Sequence, residues 1–261
     1  MGIMNSRYAV YVSIVLLLIV FLCVGCSAPA ATVNVSAGAG LTDAISEINV
    51  LYKQGRPDIT VIANFAAAGP LQQQIENGAP ADVFISPSPK HMDMLEAKHL
   101  IIENTRRDLL RNKVVLIIPG DSTLGITGFK DLTGDMVKKV AIGDPESVPV
   151  GMYAQEIFIE YGIMDALKSR LVLAGTVRQV LQYVESSNVD AGVVFMTDAK
   201  TSPDVQIVAN APDDINNKVI YPVAVIATGK DRTAAVDYEE FLFGSQAGSV
   251  FEKYGFSVIG R

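Results

Sequence analysis

Cysteine is almost missing from this chain. Two occur in 261 residues, Cys23 and Cys26, and both lie in an apolar N-terminal run. Their C-x-x-C spacing in such a run is not a redox motif. The chain beyond residue 26 has no cysteine, which excludes disulfides, a thiolate nucleophile and a Cys-based metal site. Histidine is equally scarce, with only His91 and His99. Both fall in or beside a predicted surface helix with no third ligand at useful spacing, and they read as solvated residues. There is no G-x-S-x-G elbow and no P-loop. Gly38-Ala39-Gly40 would begin a dinucleotide fingerprint, but the pattern needs Gly at position 43, where Asp43 stands. Basic residues are outnumbered 21 to 28, for a net charge of −7, and a nucleic-acid partner is not expected of such a surface. A small anion is not excluded, because oriented neutral N–H groups hold one without any basic side chain.

What is present begins with a targeting segment. Residues 1–26 carry a lone Arg7, an apolar run from Tyr8 to Val24, and then Gly25-Cys26. This pattern predicts an export signal. The Gly-Cys ending suggests a lipoprotein processing site with lipid on Cys26, although Cys23 stands where Leu is usual. The other reading is an uncleaved membrane anchor, since the run approaches spanning length. Either way the following domain is expected outside the cytoplasmic membrane, periplasmic or anchored to its outer face. Residues 27–31 read as a linker.

Hydrophobic residues make up 49% of the chain, enough for a substantial core. Past the linker, β-rich runs alternate with helix-periodic ones. Strands are predicted at 33–37, 59–64 and 83–86, with helices near 41–51, 71–77 and 89–97 between and after them. This βαβαβ alternation implies a parallel sheet covered by helices. The apolar strand 113–118 opens a second cycle, with strands at 140–143, 171–174, 191–195, 205–209 and 219–227 and helices at 153–161 and 177–187. Two helices, 234–243 and 246–254, close the chain. The fold class is α/β with two lobes: 32–112 in the first, 113–222 in the second, and a return to the first over 223–261. A ligand cleft is expected between them, with crossing segments near Val114 and Val223.

Four strand-to-helix junctions stand out: Gly38-Ala39-Gly40-Leu41, Ala66-Ala67-Ala68-Gly69, Val148-Pro149-Val150-Gly151 and Gly175-Thr176-Val177. Small residues let an anion approach the backbone, and helix starts offer unpaired N–H groups at the positive end of the dipole. Ligands in open α/β sheets bind at the carboxyl ends of strands. Together the four junctions make an anion clamp. The carboxylates of Asp144-Pro145-Glu146 read as turn and cap residues rather than an acid–base pair. No enzyme and no cofactor are expected.

The stretch Gly69-Pro70-Leu71-Gln72-Gln73-Gln74-Ile75-Glu76-Asn77-Gly78-Ala79-Pro80-Ala81-Asp82-Val83-Phe84-Ile85-Ser86 reads as a Gly-initiated helix, a tight turn and a buried strand. With Gly143-Asp144-Pro145-Glu146-Ser147-Val148-Pro149-Val150-Gly151, Val189-Asp190-Ala191-Gly192-Val193-Val194, Tyr221-Pro222-Val223-Ala224 and Tyr254-Gly255-Phe256, it closely resembles the periplasmic molybdate-binding proteins of ABC importers, over nearly all of residues 32–258. The resemblance implies a two-lobed, type II periplasmic binding protein, a monomer, that captures molybdate or tungstate and delivers it to an ABC permease. Molybdenum would enter only inside the oxyanion, with no direct protein ligand.

Carried over by position, the resemblance implies ligand contacts at Gly40, Ala68, Val150, Val177 and Phe195. Val150 and Val177 stand where the family uses backbone N–H donors. Gly40 and Ala68 stand where it has Ser, and Phe195 where it has Tyr, so three hydroxyl donors are gone. At ~1.5–3 kcal/mol for each hydrogen bond to a charged group, the loss is roughly 4–9 kcal/mol if additive, or about three to six decades of affinity. Thr42, Ser86, Thr176 and Tyr153 are the nearby hydroxyls that could compensate. The competing expectation is a relative with altered or lost oxyanion specificity, acting as a ligand sensor or interaction module.

Overall fold

The computed structural model describes residues 31–259. The predicted export segment, the processing site at Cys26 and all of the linker but Ala31 lie outside the described residues. No helix among the described residues is long and apolar enough to cross a membrane.

The first lobe starts with β1 (Ala31–Gly38), whose inward residues Val33, Val35 and Ala37 are buried. A single 3-10 turn at Ala39–Leu41 leads into α1 (Thr42–Gly55). Ala44, Ile45, Ile48 and Tyr52 recur at helical spacing and form its buried stripe. Then come β2 (Ile59–Ala66), α2 (Ala68–Glu76), β3 (Val83–Ile85) and α3 (Pro89–Ala97). Ser88 caps α3 by accepting from the Lys90 N–H at 3.3 Å, and Pro89 fills its first position. A strand that the sequence reading missed, β4 (Arg107–Arg111), follows. Its charged ends hide Leu109 and Leu110, which are both buried.

The second lobe holds β5 (Val114–Pro119), buried throughout, β6 (Val140–Gly143), α4 (Pro149–Glu160), the short α5 (Met164–Leu167), β7 (Leu171–Ala174), α6 (Val177–Glu185), β8 (Ala191–Phe195), the short α7 (Met196–Ala199), β9 (Val205–Asn210) and the short α8 (Asp213–Asn216). The chain then returns through β10 (Ile220–Val225), α9 (Arg232–Phe243), α10 (Ser245–Lys253) and β11 (Ser257–Val258).

Two mixed sheets result, ordered β11-β4-β10-β3-β1-β2 and β7-β6-β8-β5-β9. Each has a parallel core of three strands, β2-β1-β3 and β7-β6-β8. The antiparallel strands β10 and β5 flank these cores. The same strand order is built twice, although no repeat is visible in the sequence. The chain crosses between sheets at Asn112–Lys113 and again before Ile220. β10 pairs with the first sheet from Ile220 onward, whereas the sequence reading divided the chain at 222/223.

Two helices begin earlier than their hydrophobic periodicity predicts, and both shifts bear on the site. α2 starts at Ala68 rather than Leu71, and α4 at Pro149 rather than Tyr153. Proline is tolerated in a first turn, where its missing N–H is not needed. The early starts place the first-turn N–H groups of Ala68 and Val150 at the strand ends.

His91 corrects the reading of both histidines as solvated. It is buried on the inner face of α3, and neither ring nitrogen has a hydrogen-bond partner. Burial, aided by Lys90, lowers its pKa to about 4. The folded protein therefore keeps His91 neutral while the unfolded chain takes up a proton below about pH 6.5. This contribution is intact above that pH and is lost as pH falls toward 4. In urea unfolding between pH 7 and pH 4.5, His91→Leu is expected to lose stability less steeply than the unsubstituted protein. Parallel slopes would show that His91 does not titrate in this way.

Candidate functional site

All five positions singled out from the sequence come together. Gly40, Ala68, Val150, Val177 and Phe195 line one cavity, with Gly38, Ala66, Pro87, Val148 and Tyr221 among its other walls. The cavity sits where the parallel strands of both lobes end: β1 at Gly38, β2 at Ala66, β6 at Gly143, β7 at Ala174 and β8 at Phe195. It encloses about 20 Å³. One water needs about 10–15 Å³ on this measure, so the space is that of one or two water molecules and is far too small for a sugar or a peptide.

The donors follow from helix geometry. The first N–H groups of a helix have no acceptor within it. At α2, Pro70 has no N–H, and the Gly69 N–H donates across the cleft to the Ser147 carbonyl at 3.0 Å. Ala68 is left facing the cavity. At α4, Pro149 has no N–H and the Gly151 N–H returns to the Val148 carbonyl at 2.9 Å, which leaves Val150. At α6, Thr176 caps the start by accepting from the Gln179 N–H at 3.1 Å, which leaves the N–H groups of Arg178 and of the wall residue Val177. Three helix starts from two lobes thus converge with their positive ends on one small space.

The side chains of the walls are nearly all carbon. None of the four compensating hydroxyls lines the cavity, because each is committed to backbone elsewhere. Thr42 donates to the Ala39 carbonyl at 2.7 Å, Ser86 to the Ser88 carbonyl at 2.7 Å and Tyr153 to the Lys218 carbonyl at 3.0 Å. Thr176 is the α6 cap. The Asp144 carboxylate is also a turn group, accepting from the Glu146 N–H at 3.0 Å.

Tyr221, in the segment Tyr221-Pro222-Val223-Ala224, is a wall residue not expected from the sequence. Its phenol is fully buried, and burial keeps the proton on it well beyond the ordinary range. The hydroxyl oxygen accepts from Asn112 Nδ2 at 3.1 Å, so its own proton remains available. Asn112, at the crossing between lobes, also donates to Thr197 Oγ1 at 2.8 Å, while its carbonyl oxygen accepts from the Lys113 N–H at 2.8 Å. Phe195 packs edge-on between Tyr153 and Tyr221, with ring centroids at 6.3 and 5.7 Å. A tyrosine within an otherwise apolar return strand was the available signal.

The lobes approach closely beside the cavity. A Cβ on Gly69 would stand 2.9 Å from both Cα and O of Ser147. Only glycine lets these two backbones meet as they do. Among the described residues, no group of three or more His, Cys, Asp or Glu is placed to hold a metal.

A two-lobed α/β fold with a small cavity at the strand ends is the frame of a solute-binding protein. Residues 33–257 match the family described as bacterial extracellular solute-binding protein, and the chain belongs to that family. It is 38% identical to the putative ABC transporter substrate-binding lipoprotein YvgL of Bacillus subtilis, covering 87% of this chain and 86% of that one. It is 37% identical to the molybdate-binding protein ModA of Escherichia coli, over 87% and 89% of the two chains. A solved structure, the substrate-binding domain of a putative molybdenum ABC transporter from Clostridium difficile, is 38% identical with a TM-score of 0.68, covering 88% of this chain and all of that one. Proteins of this family bind solutes and are not enzymes.

Asn112→Ala leaves Tyr221, Thr197 and the Lys113 N–H short of partners in a buried place. The expected loss is about 1–3 kcal/mol in urea unfolding. An unchanged midpoint would show that this buried network does not support the crossing.

Proposed function

We propose that the chain is the extracytoplasmic binding component of an ABC importer that closes over one small tetrahedral oxyanion, molybdate or tungstate, and presents it to a membrane permease. The observation that carries this reading is a compact cavity lined by the helix-start residues Ala68, Val150 and Val177, with Gly40 and Tyr221 in its wall. Helix-start N–H groups suit a fully ionised oxyanion, and the smallness of the cavity suits a compact ion rather than an extended solute. No cofactor is needed, and molybdenum enters only within the ligand. The similarity to ModA supports the same class of cargo. The lipoprotein among the relatives is in keeping with a tether at the N-terminal segment through lipid on Cys26, and we take one chain to act as a monomer.

A second reading, altered specificity in a sensor module, is favoured by the carbon walls at Gly40, Ala68 and Phe195. One experiment separates the two. Thermal unfolding of residues 27–261 is followed with molybdate, tungstate, sulfate, phosphate and chromate. A ligand at a thousand times its dissociation constant adds about 4 kcal/mol of stability. The import reading expects a clear upward shift with molybdate and tungstate, and a larger one after Gly40→Ser, Ala68→Ser and Phe195→Tyr are combined. Silence toward both ions, before and after the substitutions, favours the second reading.

Closure has its own test. Gly69→Ala places a methyl group against the Ser147 backbone only when the lobes are shut. Overpacking of this kind costs about 1–3 kcal/mol, so molybdate affinity is expected to fall by roughly one to two decades. Melting of the ligand-free protein should change little. Unaltered affinity would mean that the lobes bind without this approach.

A further inference from the structure

Behind Gly40 lies a carboxyl group that the oxyanion reading leaves unused. Asp198 belongs to α7 in the second lobe, three residues past Phe195. It is fully buried, and neither carboxylate oxygen has a hydrogen bond. A Cβ on Gly40 would stand 3.0 and 3.1 Å from its two oxygens. The carboxyl therefore faces the first lobe across the cleft, at a residue that lines the cavity.

The charged groups around it are few. Arg178 on α6 approaches Oδ1 through Nε at 3.0 Å, but its Nη2 is also 2.5 Å from Asp43 Oδ2 on α1 of the first lobe. The Tyr221 phenol lies on the β10 side and feels the same carboxyl. Lys200 is turned toward Gly255, its Nζ 3.4 Å from where a Cβ there would stand. The 3-10 turn that carries Gly40 has no charged residue. One guanidinium thus serves two carboxyls, and only Asp43 has access to water. With both ionised, a net negative charge would stand directly behind a cavity shaped for an anion.

Burial decides the outcome. It lifts Asp198 to about 7, against the opposing pull of Arg178 and with the help of Asp43. The effect depends on closure, because Gly40 and Asp43 belong to the other lobe. Parting the lobes would take Gly40 and Asp43 away from the carboxyl and admit water, which would move its pKa toward the ordinary ~3.9.

We infer that Asp198 is a specificity-determining group of this cleft: the lobes close over a dianion together with one proton, and Asp198 carries that proton. The inference rests on the oxyanion reading for its ligand, while the proton-holding site stands on the geometry of the closed lobes. Its sign is fixed. The closed-state pKa is the raised one, so closure is favoured at low pH. Affinity is expected to fall by up to about tenfold per pH unit between roughly pH 4 and 7, where closure takes up a proton, and to level off above. A bound dianion at short range extends the window upward.

The experiment is calorimetric titration with molybdate at pH 6, in two buffers of different ionisation enthalpy, on the unsubstituted protein and on Asp198→Asn. The expected result is uptake of nearly one proton per molybdate by the unsubstituted protein and none by the variant. The affinity of the variant should also be flat from pH 5 to 8. Binding without proton uptake by the unsubstituted protein overturns the inference. If molybdate gives no binding at any pH, the ligand reading fails and the inference falls with it.

Discussion

The approach of two helix starts across a narrow gap is the constraint on which the rest of the site depends. The Gly69 N–H reaches the Ser147 carbonyl, and the same step brings Ala68 and Val150 to face each other. Any side chain at position 69 would push these backbones apart. With that contact made, three helix dipoles point into one space, and the second lobe adds Val177 and Phe195. The closed cavity is therefore a product of backbone proximity more than of side-chain chemistry.

Backbone donors have a consequence for specificity. A peptide N–H is fixed in direction by its helix and cannot turn to accept a hydrogen bond. A wall of such groups discriminates by charge and size, favouring ligands that bring acceptors only. The carbon surfaces of Gly40, Ala68 and Phe195 narrow this further, since they offer neither donor nor acceptor. The hydroxyls nearby are tied into turns and caps, so the cavity contains Tyr221 as its one hydroxyl side chain among the described residues. Asn112 holds that phenol from the crossing segment, which links the pivot of the lobes to the wall of the site.

The ionic contacts between lobes have a different character. Arg178 follows Val177 directly and spans from Asp198 to Asp43. It thereby couples the donor end of α6 to the opposite lobe and to the buried acid behind Gly40. Backbone contact at one side of the cavity and an ion pair at the other give closure two attachment points. Only the second depends on protonation.

Much of this protein was readable from residues alone. The apolar alternation located most strands within one or two residues, because a doubly covered strand must be apolar and a cap or glycine must end it. The four junctions were visible as small-residue clusters, and all of them reach the cavity. Other features were not readable. β4 was hidden by its charged ends, and the early starts of α2 and α4 by prolines that a first turn accepts. His91 looked solvated because nothing local reveals which face of a short helix is buried. Tyr221 and Asp198 are separated in sequence from the junctions they support. Local propensity is set by neighbours along the chain, and it determined the elements and their ends. Which ends meet, which hydroxyls are already engaged and which carboxyl loses its water are set by contacts between distant segments, and only the tertiary structure decided those.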